Sequence, residues 1–130
     1  MAVLIKNGRI AQSLPPPEAV LEPTDDPARL AGSLAVMRVI AVNFPKFGDG
    51  RGFSIARLLR ERYGYRGELR AVGEVGRDHL FAMAQCGFDA FELRAGEDAE
   101  EALAAFKDFS ETYQATAAQP LPLFRRRSAA

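Results

Sequence analysis

Hydrophobic positions change their period several times along the chain, and each change marks an element. Val36 to Asn43 is dense in β-branched side chains and predicts a strand. Ser54 to Tyr63 carries helical spacing, and Gly64 stands where helices commonly end. Glu68 to Gly73 predicts a second strand, Arg77 to Cys86 a second helix closed by Gly87, Phe88 to Leu93 a third strand, and Glu97 to Phe109 a third helix. Strand and helix alternate through short links, which points to parallel strands joined by right-handed crossovers.

Upstream the pattern is more broken. Val3-Leu4-Ile5 and Arg9-Ile10 flank Lys6-Asn7-Gly8 and predict a small hairpin around an Asn-Gly turn. Pro15-Pro16-Pro17 reads as a short, stiff connector. Asp26 followed by Pro27 suits an N-cap and first helical residue, opening a short helix to about Leu34. Three regions follow: a hairpin, connector and short helix over 1–35, a β-α-β-α-β-α core over 36–110, and a flexible tail over 111–130 ending near Arg125-Arg126-Arg127.

The strand faces refine the fold class. Leu69 and Ala71 share one face, whereas Glu68, Arg70 and Val72 share the other; Glu92 likewise interrupts an otherwise apolar strand. A sheet covered by helices on both faces is apolar on both. The expected architecture is therefore an α/β half-barrel, a parallel sheet of β-α units with helices on one side, and a small doubly wound sheet is the alternative. A full β/α barrel takes about 250 residues, so a chain of 130 is at most half of one. Its open side invites closure by a second copy, which predicts a homodimer.

Composition narrows the functional classes. Hydrophobic residues make up 48% and charged residues 26%, ordinary for a globular domain. Basic and acidic side chains number 17 each, so no global field favours nucleic acid or an anionic membrane. Cys86 is the single cysteine, which removes intramolecular disulfides and thiolate metal clusters. With neither a secretory leader pattern nor an apolar run of membrane-spanning length, the expected location is the cytoplasm.

Candidate chemistry gathers where strands give way to helices. Phe47-Gly48-Asp49-Gly50-Arg51-Gly52-Phe53-Ser54 reads as a glycine-rich loop entering a helix, with Ser54 as N-cap and Arg57 in the first turn. Arg77 and Asp78 open the next helix. Cations at two helix N-termini cost about 0.3–1 kcal/mol each unless an anion reverses the sign. The predicted anion-binding set is Asp49, Gly50, Arg51, Gly52, Ser54, Arg57, Arg77 and Asp78, with Asn43, Arg70, Glu74 and Glu92 on the rim or open face. A bland reading pairs Arg57 with Glu61 and Arg77 with Asp78 or Glu74 as solvated surface groups. The glycine spacing departs from both the P-loop and the dinucleotide fingerprint, and no cofactor is predicted. His79 and Cys86 read as a surface or capping residue and a small buried hydrophobe.

Asn43-Phe44-Pro45, the run from Asp49 to Tyr65, Gly67 to Gly73, Arg77-Asp78 and Cys86 to Leu93 together resemble bacterial proteins of unknown function encoded beside assimilatory sulfite reductase. The resemblance covers about Val36 to Gln114 and implies a role in sulfite reduction; some such proteins carry an oxidoreductase label. Asn43 stands where that family tends to have Asp, and Val75-Gly76 and His79 also depart from its pattern. The function expected is an accessory protein that binds a small oxyanion or phosphate-bearing group, or docks on the reductase. The alternative is an oxidoreductase component with an unconventional cofactor site.

Overall fold

The structure is a computed structural model and describes residues 3–6, 9–11, 15–46 and 49–116. Six strands form one sheet: β1 (Val3–Lys6), β2 (Arg9–Ala11), β3 (Ala19–Leu21), β4 (Val39–Phe44), β5 (Glu68–Gly73) and β6 (Ala90–Leu93). Their spatial order is β2-β1-β6-β5-β4-β3. β3 to β6 run parallel, whereas β1 joins β6, and β2 joins β1, antiparallel. The sheet is therefore mixed rather than wholly parallel. The antiparallel pair is the expected N-terminal hairpin, docked on an edge instead of standing apart; its Asn7-Gly8 turn lies outside the described residues.

Consecutive parallel strands that step in one direction place right-handed crossovers on the same face. The helices are α1 (Gly50–Arg57), α2 (Leu80–Cys86) and α3 (Ala99–Thr116). α1 packs on β4 and α2, α2 on α3, and α3 on β1 and β2. A 3-10 segment, Pro27–Ser33, links β3 to β4, and the Asp26 side chain accepts from the Ala28 N–H as a cap. The last helix runs beyond Phe109 to Thr116, into the region expected as tail; residues 117–130 lie outside the described residues.

Register divides the sheet into two contrasting faces. Leu21, Val42, Ala71, Phe91 and Ile5 stand in one row across five strands and belong to the buried core under the helices. The neighbouring row, Val20, Ala41, Arg70, Ala90 and Lys6, points the other way. Arg70 was expected on an open face, yet it is only 3% exposed and Glu68 only 5%. The reason is the proline connector. Arg70 donates to the Pro15 carbonyl at 2.7 Å, so the proline connector lies against this face at Pro15.

Burying these charges requires pairing. Glu68 accepts from Arg70 Nε at 2.8 Å, and the Lys6 ammonium lies 2.7 Å from its other oxygen. At the end of the strap Glu18 accepts the backbone N–H groups of Arg38 and Val39. Those two amides hold its carboxyl below the ordinary range.

Candidate functional site

The glycine-rich run is helical from Gly50, not a loop. Asp49, rather than Ser54, is the N-cap: it accepts from the Arg51 N–H at 3.0 Å. The same carboxylate receives the Arg51 guanidinium through Nε at 3.1 Å and an Nη at 2.9 Å. That fork, followed by the backbone bond, holds the Asp49 carboxyl below its usual range. Gly52 fits because a Cβ there would lie 2.5 Å from the Phe44 ring, whose edge also packs on Phe53. Ser54 sits within the helix, its hydroxyl 3.4 Å from the Gly50 carbonyl. Phe47 and Gly48 lie outside the described residues.

The second predicted arginine is also engaged. Arg77 opens a 3-10 turn, Arg77–His79, ahead of α2. Its guanidinium reaches Glu101 of α3 at 2.9 Å, in place of Asp78 or Glu74. Asp78 stands exposed in the same turn, and Glu74 lies 3.8 Å from Arg94. Asn43 donates to Glu22 at 2.8 Å across the ends of β3 and β4. Glu92 is half-buried on the strapped face, paired in register with Leu4. The carboxylates at this end of the sheet thus take up Arg51 and Arg77.

Arg57 behaves differently. It lies in the last turn of α1, not the first, because the helix starts at Gly50. Its Nε donates to Cys86 Sγ at 3.4 Å, joining α1 to α2 across 29 positions of sequence. Phe53, Ser54 and Arg57 face Ala82, Gln85 and Cys86 around a pocket of about 420 Å³. Among the described residues no carboxylate lies within ion-pair distance of Arg57. The pocket thus brings together one exposed guanidinium, a hydroxyl, an amide and a nearly buried thiol. Those donors suit a small anion. No group of three His, Cys, Asp or Glu side chains suited to a metal occurs among the described residues.

Sequence reasoning overlooked Arg60. After α1 the chain widens into a π turn, Leu58–Arg62, in which the Tyr63 N–H returns to the Leu58 carbonyl at 3.0 Å. Arg60 then donates to the Gly87 carbonyl at 2.9 Å, the Tyr65 carbonyl at 2.9 Å and the Gly67 carbonyl at 2.7 Å. Asp89 lies 3.6 Å from the same guanidinium and accepts the Leu69 N–H at 2.8 Å. Burial raises the Asp89 pKa, and the Leu69 amide and Arg60 oppose that shift. An arginine midway through a polar helical stretch gives no sequence signal for such a clamp.

The model of a bacterial protein family of unknown function, DUF934, matches residues 19–124. The chain belongs to the DUF934 family. Among curated proteins, and among solved structures, none matches it. The match runs from β3 through α3 and takes in both walls of the Arg57 pocket and the Arg60 clamp, whereas Pro15 and Glu18 precede it. No helix among the described residues is long and apolar enough to cross a membrane.

Proposed function

We propose that this DUF934 protein is an accessory component of sulfite reduction that holds a small sulfur oxyanion in the pocket between α1 and α2. The observation carrying this reading is Arg57: it is exposed at a pocket and, among the described residues, has no carboxylate within ion-pair distance, whereas Arg51 and Arg77 have Asp49 and Glu101. An anion at the predicted rim would have to displace those carboxylates. At Arg57 it meets the Cys86 sulfur, a weak acceptor, and the charge of Glu61 beyond ion-pair distance, with Ser54 and Gln85 alongside. The link to sulfite rests on the likeness of the stretch from Asn43 to Leu93 to proteins encoded beside the assimilatory reductase.

The one-directional parallel order and the helices on a single face support reading β3 to β6 as half of a β/α barrel. On that reading the strap over Arg70 covers part of the inner face that a second copy would otherwise meet.

A thermal-shift series with sulfite, sulfate, phosphate and nucleotides tests the proposal. A bound ligand stabilises the fold by RT ln(1 + [L]/Kd). Sulfite or sulfate is expected to raise the melting temperature in a saturable way; a series without saturable response refutes the reading.

A further inference from the structure

The arginines divide by the end of the sheet they occupy. Around the C-terminal ends of the parallel strands, Arg51, Arg77 and Arg94 lie against Asp49, Glu101 and Glu97 at 2.9, 2.9 and 3.1 Å. At the opposite end the balance reverses. Arg38 immediately precedes β4, Arg66 stands two residues before β5, and Arg62 closes the π turn that leads into it. All three are exposed.

Two contacts tie these segments together. The Glu68 N–H donates to the Arg38 carbonyl at 2.9 Å, and the Tyr65 hydroxyl donates to the Met37 carbonyl at 3.1 Å. Among the described residues neither Arg62 nor Arg66 makes an ion pair. Glu18 feels the charge of Arg38, but its carboxylate already accepts two backbone N–H groups. The other acids at this end include Asp89, engaged by Leu69 and Arg60, Glu68, ion-paired with Lys6 and Arg70, and Glu61 in the π turn. Val36, 76% exposed, lies two residues before Arg38, and half-buried Tyr63 follows Arg62.

We propose that this end of the molecule docks onto an acidic surface of a partner protein. Exposed like charges repel one another, and a carboxylate-rich partner relieves that repulsion through guanidinium–carboxylate forks. Arginine, tyrosine and an isolated apolar side chain together match the composition of protein interfaces. Nucleic acid fits less well, because the chain is formally neutral and lacks the long-range field that collects a phosphate backbone. The proposal is independent of the oxyanion pocket and uses none of its residues.

A fluorescein-labelled deca-glutamate peptide serves as probe, with binding read by anisotropy at low and raised salt. The wild-type protein is expected to bind it in a salt-sensitive manner. Arg62→Gln with Arg66→Gln is expected to weaken binding about tenfold, as loss of two partly screened pairs implies. Arg29→Gln with Lys46→Gln makes the same change in net charge elsewhere and is expected to leave binding intact. Melting curves check that both pairs of exposed substitutions preserve the fold, and Arg62→Lys with Arg66→Lys should retain only part of the affinity, because an ammonium keeps the charge but lacks the fork. Absence of wild-type binding, equal loss in the control pair, or tighter binding to poly(U) RNA than to the peptide overturns the proposal.

Discussion

Arg70 of β5 donates to the carbonyl of Pro15 at 2.7 Å, a contact spanning 55 positions of sequence that fastens the proline strap over the sheet. The same guanidinium holds Glu68, which also receives Lys6. Removing one member of a buried charged set leaves its partner under-compensated, at about 3–5 kcal/mol. Arg70→Ala is therefore expected to lose stability on that scale, measured by urea unfolding. Glu68→Leu combined with Arg70→Leu should recover much of the loss, because apolar replacement of the pair removes the desolvation cost. If the double variant were as unstable as the single, the strap rather than the charges would dominate.

Arg60 is predicted to be the most sensitive arginine on the helix side. It satisfies three backbone carbonyls, in loops preceding β5 and β6. Hydrogen bonds to a charged group contribute about 1.5–3 kcal/mol each in favourable cases, without simple additivity. Arg60→Ala should cost several such contacts, and Arg60→Lys should rescue only part, since an ammonium lacks the planar fork. Denaturant midpoints for wild type, Arg60→Lys and Arg60→Ala should fall in that order.

Alkaline pH offers a separate check on the same corner. Burial pushes the Tyr65 phenol up to about 12 from its ordinary value near 10, with Arg60 opposing the shift. Because the folded value lies above the unfolded one, the contribution of Tyr65 is complete below about pH 10 and is lost as pH rises toward 12. Tyr65→Phe should flatten this part of the stability profile while costing about 1 kcal/mol at neutral pH for the lost bond to Met37. Stability measured from pH 8 to pH 12 for both proteins decides it.

Gly52 is predicted to resist even a methyl group. A Cβ there would meet the Phe44 ring at 2.5 Å, and that ring is itself held edge-on by Phe53 and Phe88. Gly52→Ala should destabilise by about 1–3 kcal/mol through overpacking, outweighing its gain in helix propensity. Gly50→Ala, which meets nothing within 4 Å, should be neutral or stabilising.

These contrasts also explain what was legible in the sequence. The bounds of β5 follow from its local pattern, and the Asp26–Pro27 cap, the hairpin, Gly64 after the π turn and Gly87 after α2 follow from local stereochemistry. The start of α1 does not. Gly50 and Gly52 carry low intrinsic helix propensity, but the Asp49 cap and close packing on Phe44 override it. β3 has only three residues, in a stretch of five between Pro17 and Pro23, and offers no alternation to detect. At the candidate site, the arginines at helix starts drew attention, yet their partners Asp49 and Glu101 and the Arg57–Cys86 contact are set by tertiary packing.

Calorimetric titration of sulfite into the wild-type protein and Arg57→Gln shows whether Arg57 holds the anion. Saturable binding to the wild type, lost in Arg57→Gln but kept in Arg51→Gln, is the predicted result. Equal binding by wild type and Arg57→Gln, or loss confined to Arg51→Gln, would contradict the account and return the ligand to the rim of the sheet.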